Sequence, residues 1–112
     1  MDPKTRMKIR ELLDQEAVEL RTWERRTEAD RAPVELDQSA VGRLSRMDAI
    51  QQQAMAAAQS RRRAGRLRAI AAALKRIDED EFGWCEACGE EIAMRRLELD
   101  PAAPRCIGCA AG

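Results

Sequence analysis

A chain of 112 residues is one domain's worth, yet one Phe, two Trp and no Tyr against 36% charged residues leave little with which to fill a broad globular core. Twenty Lys and Arg balance twenty Asp and Glu, and a formal net charge of zero counts against a phosphate backbone as the main partner. No apolar run approaches the ~18 residues of a membrane span, and the Ala-, Leu-, Glu- and Arg-rich mixture is that of long helices or coiled coils.

The first predicted element is a helix. Asp2 is a candidate N-cap, Pro3 suits the first helical position, and Ile9, Leu13, Ala17, Leu20 and Trp23 recur at helical spacing. Pro33 is expected to stop it and to push Ala32 into extended backbone. The stretch from Glu28 to Gln38 then reads as a connection, with Asp37 or Ser39 capping a second helix that runs from about Ser39 to about Asp80. A helix of that length does not stand alone. The pair is predicted to form an antiparallel hairpin that buries Val41, Leu44, Met47, Met55 and Ala58 against the first helix, with Trp23 packed near the tip. Leu67, Ile70, Leu74 and Ile77 form a second apolar stripe near the base. Between the stripes, Gln51 to Gln53 and Gln59 to Arg63 offer few large apolar groups, and Gly65 is a defect of about 1 kcal/mol relative to Ala.

Arg61, Arg62, Arg63, Arg66 and Arg68 make a basic run on the second helix, followed by Asp78-Glu79-Asp80-Glu81. Such runs are usually a solvated face, and a docking surface for an acidic partner is the alternative.

All four cysteines lie beyond these runs, as Cys85/Cys88 and Cys106/Cys109, with 17 residues between the pairs. Each Cys-x-x-Cys knuckle presents two thiolates on one side, and two knuckles complete the tetrahedral sulfur shell that Zn²⁺ takes. Gly89 suits the positive-φ position that follows such a knuckle. Two disulfides would need an oxidising compartment, and Met1-Asp2-Pro3-Lys4 opens on charged residues with no apolar signal-peptide core. A thioredoxin-type site would need one pair within a βαβ pattern, which is absent. One structural zinc in a cytoplasmic protein is expected, the metal having no open ligand position and the chain no histidine. Without a histidine or a convincing carboxylate dyad, hydrolytic chemistry is not expected either.

The run Ile77-Asp78-Glu79-Asp80-Glu81-Phe82-Gly83-Trp84-Cys85-Glu86-Ala87-Cys88-Gly89, with Ile92, Arg95-Arg96-Leu97-Glu98, Pro101 and Cys106-Ile107-Gly108-Cys109, resembles the zinc module of the DksA/TraR family. Upstream, Leu36-Asp37-Gln38 and Val41 to Ala49 resemble its shorter members. The resemblance implies a mainly α fold: a long antiparallel helical hairpin (coiled coil) over residues 1–80, tip about 30–39, on a small four-cysteine zinc-finger head over residues 81–112. It also implies a transcription regulator that enters the secondary channel of bacterial RNA polymerase without sequence-specific DNA binding, and that presents an acidic tip near the active centre. The family's Asp-x-x-Asp-x-Ala tip is missing. Asp37, within the shared Leu-Asp-Gln string, is the best substitute, with Glu35 beside it and Asp30 less favoured. Members that answer to guanosine tetraphosphate carry basic residues where this chain has Ala69, Asp100 and Ala110, so alarmone binding does not carry over. A monomer is expected, since a short connection makes consecutive helices intramolecular neighbours. The rival readings are a zinc-ribbon nucleic-acid-binding module and a thiol redox enzyme.

Overall fold

The computed structural model describes residues 1–32 and 43–111, and among these the molecule is a helical arm on a small irregular head. Helix α1 spans Pro3–Arg26, a 3-10 turn follows at Glu28–Arg31, and α2 spans Arg43–Asp78. The head adds two short helices, α3 (Met94–Leu99) and α4 (Ile107–Ala111). The principal extents are 64 × 30 × 20 Å, and the 19.4 Å radius of gyration exceeds the roughly 13 Å of a compact chain this long.

The start of α1 follows its sequence signals. Asp2 accepts the Thr5 backbone N–H at 2.6 Å and Pro3 occupies the first turn. Its end does not wait for Pro33. The Thr27 hydroxyl and N–H both bond to the Trp23 carbonyl, at 2.7 and 3.0 Å, and close the helix at Arg26. Ala32 is extended, as expected of the residue before a proline.

The two helices are unequal, 24 against 36 residues, and this decides which apolar groups are covered. Glu24, near the end of α1, meets Ser60 and Arg63 of α2. The part of α2 before Ser60 therefore reaches beyond α1 by some 25 Å at ~1.5 Å per residue, accompanied by the 3-10 turn and by Ala32, whose carbonyl accepts Gln53 Nε2 at 2.9 Å. Met47 and Met55, expected inside the hairpin, lie on this overhang and are exposed, Met55 to 63%. Ala58 is only half-buried. Trp23, expected to pack near the tip, is 55% exposed because it points off the α1–α2 seam. Val41 and Leu44 fall where no side-chain placement is described.

The core sits at the opposite end. Ile9, Leu13 and Ala17 of α1 meet Ile70, Ala73 and Ile77 of α2, and the same cluster runs on into Phe82, Cys85, Ile92, Leu97, Ala102 and Ala103 of the head. The base of the arm and the head thus share one core. Trp84 and Ile107, two of the larger apolar residues of the head, are exposed. Ala102 and Ala103 are buried in the shared cluster beside Phe82, Ile92 and Leu97.

Ion pairs reinforce the same junction. Arg6 bonds to Asp80 at 3.0 Å and Arg10 to Asp78 at 2.6 Å. Arg66 reaches two elements at once, donating to Glu16 of α1 and, at 2.7 Å, to Asp100 at the end of α3. Among the described residues, no helix is long and apolar enough to cross a membrane.

Candidate metal centre

The path into the first knuckle is set by the end of α2. Asp80 takes a positive φ of 58°, and the Glu81 N–H bonds to the Arg76 carbonyl at 2.8 Å, the 6→1 bond of a Schellman ending. Phe82 is then buried and Gly83, at φ 95°, turns the chain toward the cysteines. Cys85 donates its N–H to the Glu90 carbonyl at 2.8 Å, Gly89 donates back to the Cys85 carbonyl at 2.9 Å, and Gly89 adopts the expected positive φ of 76°. Trp84 and Glu91 form an antiparallel bridge that fixes the width of this loop.

The second knuckle runs from Cys106 into α4, with the Ala110 N–H on the Cys106 carbonyl at 2.9 Å. Three bonds hold the knuckles in register. The Glu86 N–H meets the Pro104 carbonyl at 2.9 Å, Arg96 Nε meets the Arg105 carbonyl at 2.7 Å, and Arg105 Nε meets the Glu86 carboxylate at 3.2 Å.

The four sulfurs converge. Cys85, Cys88, Cys106 and Cys109 place their Sγ atoms within 4.8 Å of one another, and none is in a disulfide. A tetrahedral shell with Zn–S bonds of ~2.3 Å puts neighbouring sulfurs ~3.8 Å apart. The Cys88 and Cys106 sulfurs are 3.8 Å apart, so the group fits the metal and is too open for a bond between sulfurs of ~2.05 Å. With four protein donors the shell is closed, which suits a structural ion.

The electrostatics differ from thiol to thiol. Backbone N–H groups of Cys106, Cys88 and Ala87 hold the Cys85 thiol down to about 6, against an ordinary value of 9.0. Neighbouring thiols, Cys106 first, push Cys109 up to about 12. Four sulfurs in so small a volume cannot all ionise without a cation among them, which is the condition a divalent metal meets.

The expected tip acids are not part of this geometry. Asp37 and Glu35 lie outside the described residues. Asp30 sits exposed in the 3-10 turn, its N–H bonded to the Thr27 carbonyl at 3.0 Å. Of the basic run, Arg63 and Arg66 are engaged across the arm, while Arg61, Arg62 and Arg68 are exposed and make no ion pair among the described residues. The partnership of Arg66 with Asp100 and Glu16 escaped the sequence because its members are 34 and 50 positions apart, with no local spacing to announce them.

Comparison with known proteins agrees with the site. Residues 80–112 match the family model of the prokaryotic dksA/traR C4-type zinc finger. The RNA polymerase-binding transcription factor DksA of Haemophilus influenzae is 54% identical over 43 residues, which are 38% of this chain and 30% of that protein. The factor of the same name from Escherichia coli K12 is 46% identical over 43 residues, 38% and 28% of the two chains. The match therefore spans less than a third of these relatives. The solved structure of transcription factor DksA2 from Pseudomonas aeruginosa superposes with a TM-score of 0.77 at 26% identity, covering 99% of this chain and 84% of that one. Residues 80–112 thus form a C4-type zinc finger of the dksA/traR kind that takes one structural zinc ion, and the chain as a whole is similar in structure to DksA2.

Proposed function

We propose that this protein is a transcription regulator, and not an enzyme, that binds bacterial RNA polymerase in the cytoplasm. Its arm enters the secondary channel and carries an acidic tip toward the active centre. The observation that carries the reading is the whole-length likeness to DksA2, since it extends the relationship from the finger to the arm. The arm's form supports it. A body 64 Å long and 20 Å in its smallest extent can enter a channel that a globular domain could not. The overhang of α2 leaves Met47, Ile50 and Met55 available for contact far from the head.

In this reading residues 1–80 are the arm and residues 81–112 the head, with Cys85, Cys88, Cys106 and Cys109 as the zinc ligands. Zinc supplies a closed tetrahedral crosslink. The protein's own residues orient it through the Cys85–Glu90 and Glu86–Pro104 bonds within the head. Asp37 is the effector acid, with Glu35 next and Asp30 third. A carboxylate at the end of a thin arm acts on a metal-containing active centre through charge, while adding little contact area. The protein works as a monomer and reads no DNA sequence. It does so without guanosine tetraphosphate, because Asp100 already accepts Arg66 and the Ala102 N–H and offers a phosphate only negative charge.

Co-sedimentation with the cognate core polymerase tests the reading. The wild-type protein and Asp37→Asn are expected to bind alike, and only the wild type to alter the lifetime of promoter complexes. Asn caps a helix about as well as Asp, so loss of effect at unchanged binding separates a tip from a cap. Absence of polymerase binding would refute the function, and full activity of Asp37→Asn would refute the tip.

A further inference from the structure

Two large apolar side chains of the head stand in water beside one another. Leu99, at the end of α3, is 82% exposed, more than any other large apolar residue described, and Ile107, at the start of α4, is 63% exposed. They belong to different elements, yet both line one cavity of about 240 Å³ with Ala93, Arg95, Arg96 and Asp100. Single exposed aliphatic groups are ordinary on a protein surface, whereas two that converge on one concavity form a patch of the kind that docks a partner. The backbone beneath is held by the Asp100 N–H on the Arg96 carbonyl at 2.8 Å, the Ala103 N–H on the Asp100 carbonyl at 3.1 Å and the Ala110 N–H on the Cys106 carbonyl at 2.9 Å. A face so fixed loses little freedom on docking.

The charges around the cavity decide what can cover it. Asp100 is the one carboxylate in the lining, and it is occupied by Arg66 at 2.7 Å and by the Ala102 N–H at 3.1 Å. Arg96 gives Nε to the Arg105 carbonyl at 2.7 Å, and Arg95 is exposed. Neither guanidinium makes an ion pair among the described residues. The free charge at the rim is therefore positive. An occupant that brings carboxylates complements it, and a basic one is repelled.

Taking the protein to be the polymerase-binding regulator proposed above, we infer that this patch is the docking surface of its head on RNA polymerase. It takes an acidic protein segment whose large apolar side chain seats against Leu99 and Ile107 while its carboxylates face Arg95 and Arg96. Apolar anchoring at the centre with charge at the rim is the usual anatomy of such a contact. Ile107 lies between the ligands Cys106 and Cys109, so the metal that closes the second knuckle also presents half of the patch. The head then grips the polymerase at a point separate from the arm.

The test is the equilibrium affinity of the zinc-loaded full chain for the cognate core polymerase, with zinc content and helical circular dichroism read on the same samples. Leu99→Ser is expected to weaken binding about 10-fold, and Arg95→Glu by about as much, whereas Arg95→Lys should stay within about 3-fold of wild type. Met7, 66% exposed on α1 and outside the patch, is the control, and Met7→Ser should bind as wild type. Ile107→Ser should follow Leu99→Ser; if it loses zinc, Leu99→Ser and Arg95→Glu decide alone. A wild type that does not bind polymerase removes the proposed function and this surface together. A wild type that binds, with Leu99→Ser equally tight, removes this surface alone. Arg95→Glu as tight as wild type would overturn the acidic occupant, and equal losses at Met7→Ser and Leu99→Ser would show that no particular patch is used. A wild type that sediments as a dimer, with Leu99→Ser a monomer, would give the patch to a second copy of the chain and overturn the inference.

Discussion

Arg66 is the most demanding point at which to test how the arm is fixed to the head. Its guanidinium donates to Glu16 through Nε and Nη2 and to Asp100 through Nη1, so one side chain joins α1, α2 and the end of α3. Both carboxylates hold the Arg66 pKa well above its ordinary value, Glu16 contributing first through its hydrogen bond. Charge-assisted bonds in a dry site are worth ~1.5–3 kcal/mol each. The three side chains here are 30, 35 and 42% exposed, which pulls each pair toward the ~0–1 kcal/mol of surface bridges. Taking ~1 kcal/mol for the forked Glu16 pair and ~0.5–1 for Asp100, Arg66→Ala should cost about 1.5–2 kcal/mol. At ~4 °C per kcal/mol for a chain of this size, the zinc-loaded protein should melt about 6–8 °C lower. Arg66→Lys keeps the charge and loses the fork, and should fall between. Thermal unfolding followed by circular dichroism measures the shift, and moving from about 0.05 to about 0.5 M salt should shrink it by screening. A melting temperature for Arg66→Ala within ~1 °C of wild type at low salt would refute the reasoning and return Arg66 to the solvated face that its neighbours Arg61, Arg62 and Arg68 occupy.

Three further outcomes are expected. Cys88→Ser, or wild type after chelation, should lose stoichiometric zinc by elemental analysis and lower the unfolding midpoint of the arm as well as the head, because Cys85, Phe82 and Leu97 share a core with Leu13 and Ile70. Leu13→Ala should cost about 2–5 kcal/mol, and Met55→Ala less than about 0.5, by urea midpoints at constant slope; comparable losses at both would contradict a core confined to the base. The hydrogen bond from Arg63, joined by one from Ser60, holds the Glu24 carboxyl below its ordinary 4.5. A depressed folded value stabilises the fold above that ordinary value and the benefit is lost as pH falls through the folded one. The difference in stability between wild type and Glu24→Gln should therefore be constant near neutrality and close below pH about 4; a gap that persists unchanged well into the acid range would show that Glu24 is not ionically engaged.

The zinc centre was legible because its chemistry is local. Two Cys-x-x-Cys pairs, a glycine at the positive-φ position and the entry Phe82-Gly83 all lie in the short stretch 82–109, and each position answers to a constraint that the chain itself displays. The base stripe of Ile70 and Ile77 was legible for the same reason, through its helical period. The side of α2 facing solvent at Met47 and Met55 was not, because burial there depends on where α1 stops. That stop is made by the Thr27 hydroxyl on the Trp23 carbonyl, well before the proline that announces a break. Likewise Trp84 and Ile107 are exposed while the smaller Ala102 and Ala103 join the shared core. Apolar surface alone would rank these four residues in the opposite order.

The distribution of polar and apolar contacts explains how a chain with so small a core maintains an extended arm. Apolar burial is concentrated where three parts of the chain meet and can exclude water together. Further along, two helices alone cannot cover a stripe of large side chains, and polar contacts take over. Glu24 accepts from Arg63 at 2.5 Å and from Ser60 at 2.9 Å, while Arg31 donates to Thr27 and to the Glu24 carbonyl and ties the 3-10 turn to the end of α1. Such bonds add little free energy at partial exposure, but they are directional and fix the register of α2 against α1, which apolar contact alone leaves free to slide. Among the described residues the arm thus has a shared core at its base and polar contacts that register α2 against α1 further along. Stiffness in such an arm comes from the junction, so changes at Arg66 or at the zinc centre should be felt along α2 as far as its contacts with the 3-10 turn.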